Sequence, residues 1–301
     1  MKKIITIAIL LSLTMFLAAE ISGESGFQML KITTGTAQAA MAGTNAGLVQ
    51  DAFCYTENPA AAMLNPTRTI SVNQNYWIFD TSMNSLSYLY STPKTSFAVG
   101  YRYLDYGELE NRDDIGQVIG EFHPMDMTLS MNLGRRLLPN HYLGINVMGI
   151  YEKIDNSTSV GASFDLGYYY LTPLRYLKLA AAVKHIGFTS KMDEENIDLP
   201  ETYQVAVVVD DIQLLQGLAT LSNELKLYKE SDDDELKAAW GMNTNLHQNF
   251  DLRLGYKFNH DSQSFSGGFG IMVSKFSLDY AYLPFQNEID DVHMFGLSYN
   301  F

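Results

Sequence analysis

His293-Met-Phe-Gly-Leu-Ser-Tyr-Asn-Phe301 closes the chain with a two-residue rhythm. His293, Phe295, Leu297, Tyr299 and Phe301 share one face of an extended strand, and Met294, Gly296, Ser298 and Asn300 share the other. Successive strand side chains point to opposite sides, so one face is aromatic and the other small and polar. That division suits a wall between lipid and water. In an open soluble sheet, such a last strand would offer a free edge to other chains. In a barrel it pairs with the first strand and no edge remains. Phe295, Leu297, Tyr299 and Phe301 are therefore read as one face of a barrel-closing strand. The competing reading is the terminal strand of a secreted β-sandwich, and the sequence upstream separates the two.

Working back from this strand, fourteen segments alternate: 69–79, 82–90, 95–103, 125–134, 142–154, 158–170, 177–186, 202–209, 217–228, 236–246, 249–258, 264–273, 276–283 and 293–301. Most approach the roughly 9–11 residues that a tilted membrane strand needs. In 249–258, Phe250, Leu252, Leu254, Tyr256 and Phe258 oppose Asp251, Arg253, Gly255 and Lys257. The same rule places Arg102, Asp165, Lys178 and Lys184 opposite apolar neighbours, so all seven charges are expected to face a polar lumen. The longest connections, 104–124, 187–201 and 284–292, all follow odd-numbered strands, as the outer loops of a barrel do. They are strongly acidic, as is 229–235, whereas the short turns carry Lys94, Arg135, Arg136 and Arg175 beside Asp210 and Asp211. The expected fold is an all-β transmembrane antiparallel barrel of about fourteen strands over 68–301.

Ile4 to Ala19 is an apolar run behind Lys2 and Lys3, which reads as a signal peptide over 1–19. With 20 basic residues against 34 acidic ones, the surface repels phosphates, which excludes nucleic acid as a partner. Cys54 has no second cysteine to pair with and reads as a small buried apolar residue. Lipid and lipopolysaccharide of a bacterial outer membrane are the expected surroundings. The acidic run Ser231-Asp-Asp-Asp-Glu235 lacks the spacing and glycine of an EF-hand and reads as a solvated loop tip.

Residues 20–67 lack strand alternation. Gly35 to Gly47 is rich in Ala and Gly, followed by Asp51-Ala52 and by Asn-Pro at 58–59 and 65–66, each of which turns the chain. Gly35-Thr-Ala-Gln-Ala-Ala-Met41-Ala-Gly43, Asp51-Ala52 and Asn58-Pro59-Ala60 resemble the entry segment of the PorV/PorQ family, within the group of outer-membrane barrels similar to FadL. Met41-Ala42-Gly43-Thr44 departs from the family's usual Met-Gly-Gly-Ala, and Gln50-Asp51 from its paired Asp. The likeness continues through Tyr103 to Gly107, Gly120-Glu-Phe122, Gly144 to Ile154, Asp165-Leu-Gly167, His185-Ile-Gly187 and Leu199-Pro200. It implies an N-terminal plug marked by Met41, Gly43, Asp51, Asn58, Pro59 and Ala60. It also implies an accessory role in type IX secretion, with secreted cargo proteins or other secretion components as partners. The alternatives are a FadL-like passive channel for hydrophobic molecules and a purely structural membrane protein.

No catalytic constellation or phosphate-cradling loop stands out, so no enzyme, cofactor or metal is expected. The six His residues (123, 141, 185, 247, 260 and 293) are scattered without zinc-ligand spacing. His185 and His293 fall near strand ends, where a polar ring tip at the membrane interface is expected.

Overall fold

A computed structural model describes residues 25–47, 51–64, 66–192, 197–214, 217–246, 249–287 and 289–301. The leader and its cleavage after Ala19, Asn65, His247, the acidic residues 193–195 and Glu288 lie outside the described residues.

The chain forms strands β1 (Arg68–Tyr76), β2 (Ser82–Ser91), β3 (Thr95–Asp105), β4 (Leu109–Arg112), β5 (Val118–Phe122), β6 (Met125–Leu138), β7 (His141–Ile154) and β8 (Ser157–Leu171). It continues with β9 (Leu177–Thr189), β10 (Thr202–Leu214), β11 (Ala219–Glu230), β12 (Lys237–Leu246), β13 (Phe250–Phe258), β14 (Phe265–Val273), β15 (Phe276–Leu283) and β16 (Val292–Asn300). All except β4 and β5 join one closed antiparallel barrel of fourteen strands. The terminal strand closes it: β16 pairs with β1 from Thr69↔Asn300 to Tyr76↔His293, and the Phe301 amide donates to the Arg68 carbonyl at 2.9 Å. Phe295, Leu297 and Phe301 are exposed on the outer face, while Met294 and Ser298 are buried within. The sandwich reading is thereby excluded, because no sheet edge remains in the wall.

All fourteen expected segments are strands, and the differences lie at their ends. β1 stops at Tyr76, because Trp77–Thr81 turns back with the Trp77 amide bonded to the Thr81 carbonyl. β6 continues through Arg135 and Arg136 to Leu138, so the turn to β7 is shorter than the sequence indicates. β10 runs on to Leu214 through a bulge at Asp210–Asp211, with Asp211 at φ 58°. Asp210 continues the inward phase of Thr202, Gln204, Ala206 and Val208 and Asp211 points outward, so neither belongs to a turn. The 104–124 connection is not irregular either: β4 and β5 form a separate hairpin within it.

One rim carries the long connections and that hairpin, and the other only short turns. Long loops face outward in barrels of this kind. An epitope inserted at Asp113, in the β4–β5 turn, is therefore expected to be detected on intact cells. Detection only after the outer membrane is opened would invert the topology.

Candidate functional site

The N-terminal segment threads the lumen from the long-loop rim to the short-turn rim, where β1 begins. It is built from short pieces: Gln28–Lys31, Thr36–Ala40, Cys54–Glu57 and Ala61–Met63. Ala and Gly keep these pieces thin enough to lie inside the barrel, and among the described residues almost every side chain between Thr34 and Ala62 is buried. Met41, Asp51, Asn58 and Ala60, expected to mark the plug, all lie in its packed interior.

Two places fix it to the wall. Gly144 and Gly167 face each other across β7 and β8, and Asn58-Pro59 lies on them. A Cβ on Gly144 would fall 2.2 Å from the Pro59 carbonyl carbon, and one on Gly167 would fall 2.2 Å from Asn58 Oδ1. Gly241 and Gly255 face each other across β12 and β13 and receive Met41-Ala42: a Cβ on Gly241 would fall 2.6 Å from the Met41 oxygen, and one on Gly255 would fall 2.3 Å from the Ala42 nitrogen. Only glycine permits backbone to approach backbone this closely. Polar groups complete both docks. Asn58 Nδ2 donates to the Ala181 carbonyl at 3.1 Å, and its Oδ1 accepts from the Ala60 amide at 3.0 Å. Asp51 accepts from the Phe53 amide at 2.8 Å and from Gln38 at 3.3 Å. Gly43 adopts φ 76°, and its carbonyl accepts from Lys226. The docking glycines sit at inward positions of their strands, a signal present in the sequence but not distinguishable there from ordinary small lumen residues.

All seven expected lumen charges point inward, but they form three separate groups. Arg253 is 1% exposed and bridges Asp279 at 2.5 Å and Asp251 at 3.0 Å. Lys178 pairs with Asp210, which also accepts from the Gly47 amide at 3.0 Å. Arg102, Asp165, Lys184 and Lys257 gather around Glu57 of the plug, which Lys226 approaches to 3.4 Å and Lys184 to 3.9 Å. Sequence reading missed Glu57, Lys226, Glu224, Asp210 and Asp279. Glu224 and Lys226 could have been found, since they oppose Leu225 and Leu227 on one strand.

His185 departs from its expected place at the membrane interface. A bulge sets Lys184 and His185 together opposite Asp165, with His185 at φ 62°. The His185 amide donates to Asp165 at 2.7 Å, and the ring is buried in the lumen at 3% exposure. His293 does lie exposed near the rim, 2.8 Å from the Tyr280 hydroxyl.

Above the plug, toward the long-loop rim, lies a cavity of about 610 Å³. Its base is cationic, with Arg102, Lys184, Lys226 and Lys257 around Glu57 and Asp165. Its upper wall is largely apolar, with Met29, Leu30, Ile32, Trp77, Leu104 and Phe285. Among the described residues, Lys257 Nζ has no hydrogen-bond or ion-pair partner, so a positive charge is left facing the space. His260, in the β13–β14 connection at the rim, is held neutral: burial, together with nearby Lys257, pushes it down to about 3. Below the plug's outer surface the lumen is filled. Ala52, Tyr55, Ala62, Leu89 and Ala98 form one cluster, and Ala60, Ala61, Tyr169, Ala180, Ala206 and Val208 another. Among the described residues, the chamber is thus a vestibule that ends on the packed plug.

A strap over one side of this chamber explains the acidic run at 231–235. Asp232 is not a solvated tip: it accepts from Ser25 at 2.5 Å and from Lys31 at 2.6 Å. Asp233 pairs with Lys237 at 2.6 Å, so these two charges are used within the fold, while Asp234 and Glu235 stay exposed. Gly26 and Phe27 donate backbone N–H groups to the Asp198 carbonyl (3.1 Å) and to Glu152 (3.2 Å). Burial opposes the charge on Asp232, but the bonds from Lys31 and Ser25 outweigh it and hold the carboxyl below its ordinary 3.8. A depressed carboxyl stabilises the fold at neutral pH, and that contribution is lost as pH falls through the lowered value. Asp232→Asn in a Cys54→Ala background is expected to speed maleimide labelling of a Leu30→Cys probe by at least ten-fold at pH 7. Acid strong enough to take the pH through that lowered value should do the same to the parent. The swap Lys31→Asp with Asp232→Lys should restore slow labelling; equal rates in all forms would show that the pair does not hold the strap.

The sequence matches no family model and no curated protein. Solved structures do match. The Pseudomonas putida toluene transporter TodX superposes with a TM-score of 0.62 at 10% identity, covering 89% of this chain and 98% of its own. The monoaromatic hydrocarbon channel CymD gives 0.62 at 12% identity, covering 89% and 97%. A Pseudomonas aeruginosa FadL homologue gives 0.57 at 12% identity, covering 93% and 99%. The chain thus has the fold of FadL-like outer-membrane β-barrels, a closed fourteen-stranded wall around an N-terminal plug.

Proposed function

We propose that this protein is a passive outer-membrane conduit for hydrophobic molecules, with the vestibule as its receiving site. The observation that carries the reading is the cavity of about 610 Å³, apolar above and cationic below, set against the face of the plug. Pockets that take small organic ligands combine apolar walls with a few placed polar groups. The unpaired Lys257 ammonium suits the head of an acidic amphiphile, whose chain would lie along Leu30, Leu104 and Phe285. Similar structures are a transporter and a channel for aromatic hydrocarbons, which supports this reading over the type IX accessory role implied by the PorV/PorQ resemblance.

The test uses the purified protein in nanodiscs with two probes, dodecanoate and toluene. Lys257→Met is expected to weaken dodecanoate binding about ten-fold, the equivalent of roughly 1.4 kcal/mol, and to leave toluene unchanged. Failure of the parent to bind either probe would sink the channel reading. Co-purification with secreted proteins from the native membrane would then favour the accessory role.

A further inference from the structure

The β4–β5 hairpin is the one element of the described chain that neither joins the wall nor fills the lumen. Its base is fixed, with His123 2.7 Å from Asp105 and the Tyr106 hydroxyl donating to Asp126 at 2.8 Å. Its turn is also formed, since Asp113 accepts from the Ile115 and Gln117 amides at 3.1 and 2.8 Å. Along its length, no described residue covers its aliphatic side chains. Ile115 is 77% exposed, Ile119 64% and Val118 51%. An isolated two-stranded hairpin has little stability of its own in water, and exposed aliphatics add nothing to it. β4 pairs only with β5, so each strand keeps an unpaired edge of backbone donors and acceptors.

Its charge pattern is as unusual as its apolar one. Glu110 and Glu121 stand directly opposite each other in the register, an arrangement that opposes pairing. Arg112 bonds to Glu110, but Glu121 has no partner among the described residues. Glu108, Asp113 and Asp114 add to the same field, with Arg112 the single Lys or Arg in the loop. A surface that is acidic and aliphatic, with an open strand edge, is complementary to one kind of occupant. Anionic headgroups and sugars phosphates of the surrounding lipid would be repelled.

We propose that the hairpin is a docking site for a partner protein, which adds an extended segment alternating basic and aliphatic residues to its edge. Backbone hydrogen bonds would supply the pairing, Ile119 and Val118 the apolar contact, and Glu110 and Glu121 the charge selection. This goes beyond the channel reading and does not depend on the vestibule.

The test uses the full protein in nanodiscs and a dye-labelled ten-residue peptide alternating Lys and Val. Binding to the parent is expected to exceed that of a Lys/Ser peptide of equal charge by at least ten-fold. Val118→Ser with Ile119→Ser should remove that advantage, and Glu110→Gln with Glu121→Gln should weaken the Lys/Val peptide by at least ten-fold. Both pairs are exposed, and heat-modified gel mobility confirms that the barrel is intact. Equal binding of the two peptides would reduce the effect to general attraction by acidic loops and overturn the proposal. Dimers of the parent that the Ser variant abolishes would overturn it too, in favour of a second copy as occupant.

Discussion

Arg253→Leu is expected to destabilise the barrel by about 3–5 kcal/mol, although Leu matches the apolar residues on either side of it in sequence. Arg253 is buried at 1% exposure between Asp279 and Asp251, and removing it strands two carboxylates inside a packed lumen. The loss of one partner of a buried ionic cluster costs more than the cluster itself contributes. The double variant Arg253→Leu with Asp279→Leu should therefore recover most of the loss. One residue along, Leu254→Arg should cost about 2–4 kcal/mol for the opposite reason, since it carries a charge to the lipid face. Urea titration of barrels refolded into vesicles measures both. A neutral outcome at Arg253 would mean that water reaches its carboxylates, and a neutral outcome at Leu254 would place that strand outside the lipid.

Gly144→Val combined with Gly255→Val is expected to leave the wall closed but dislodge the plug, raising single-channel conductance in planar bilayers at least ten-fold. Each new side chain would meet plug backbone, the Pro59 carbonyl at 2.2 Å and the Ala42 nitrogen at 2.3 Å, and backbone cannot swing aside as a side-chain tip can. The β1–β16 pairing, which closes the barrel, involves neither position. Deleting residues 35–62 should raise conductance in the same way. Gly149→Val is the control, because nothing lies within 4 Å of its added Cβ. If the double variant conducts no better than this control, the plug is not what seals the lumen.

The wall was legible in the sequence because lipid imposes a rule on every second residue. Any strand between hydrocarbon and a polar lumen must alternate, so Phe250 to Phe258 and His293 to Phe301 announce both their conformation and their facing. Strand count and connection parity followed, and with them the inward placement of Arg102, Asp165, Lys178, Lys184, Asp251, Arg253 and Lys257. What alternation cannot encode is partnership across the lumen. Glu57 meets Lys226 across 169 positions of sequence, and Lys31 meets Asp232 across 201. Those pairs exist only because a closed barrel brings its plug against distant strands. The two bulges show the limit most directly. At Lys184–His185 one extra residue shifts the two-residue period and sends His185 inward where the sequence placed it at the membrane interface, while at Asp210–Asp211 the strand runs on past its expected end, so Asp210 keeps the inward phase where the sequence placed it in a turn. Alternation determined the wall; the plug's docks, the vestibule's charge and the latch on Asp232 were decided by tertiary contact, since each depends on how closely two separate backbones approach.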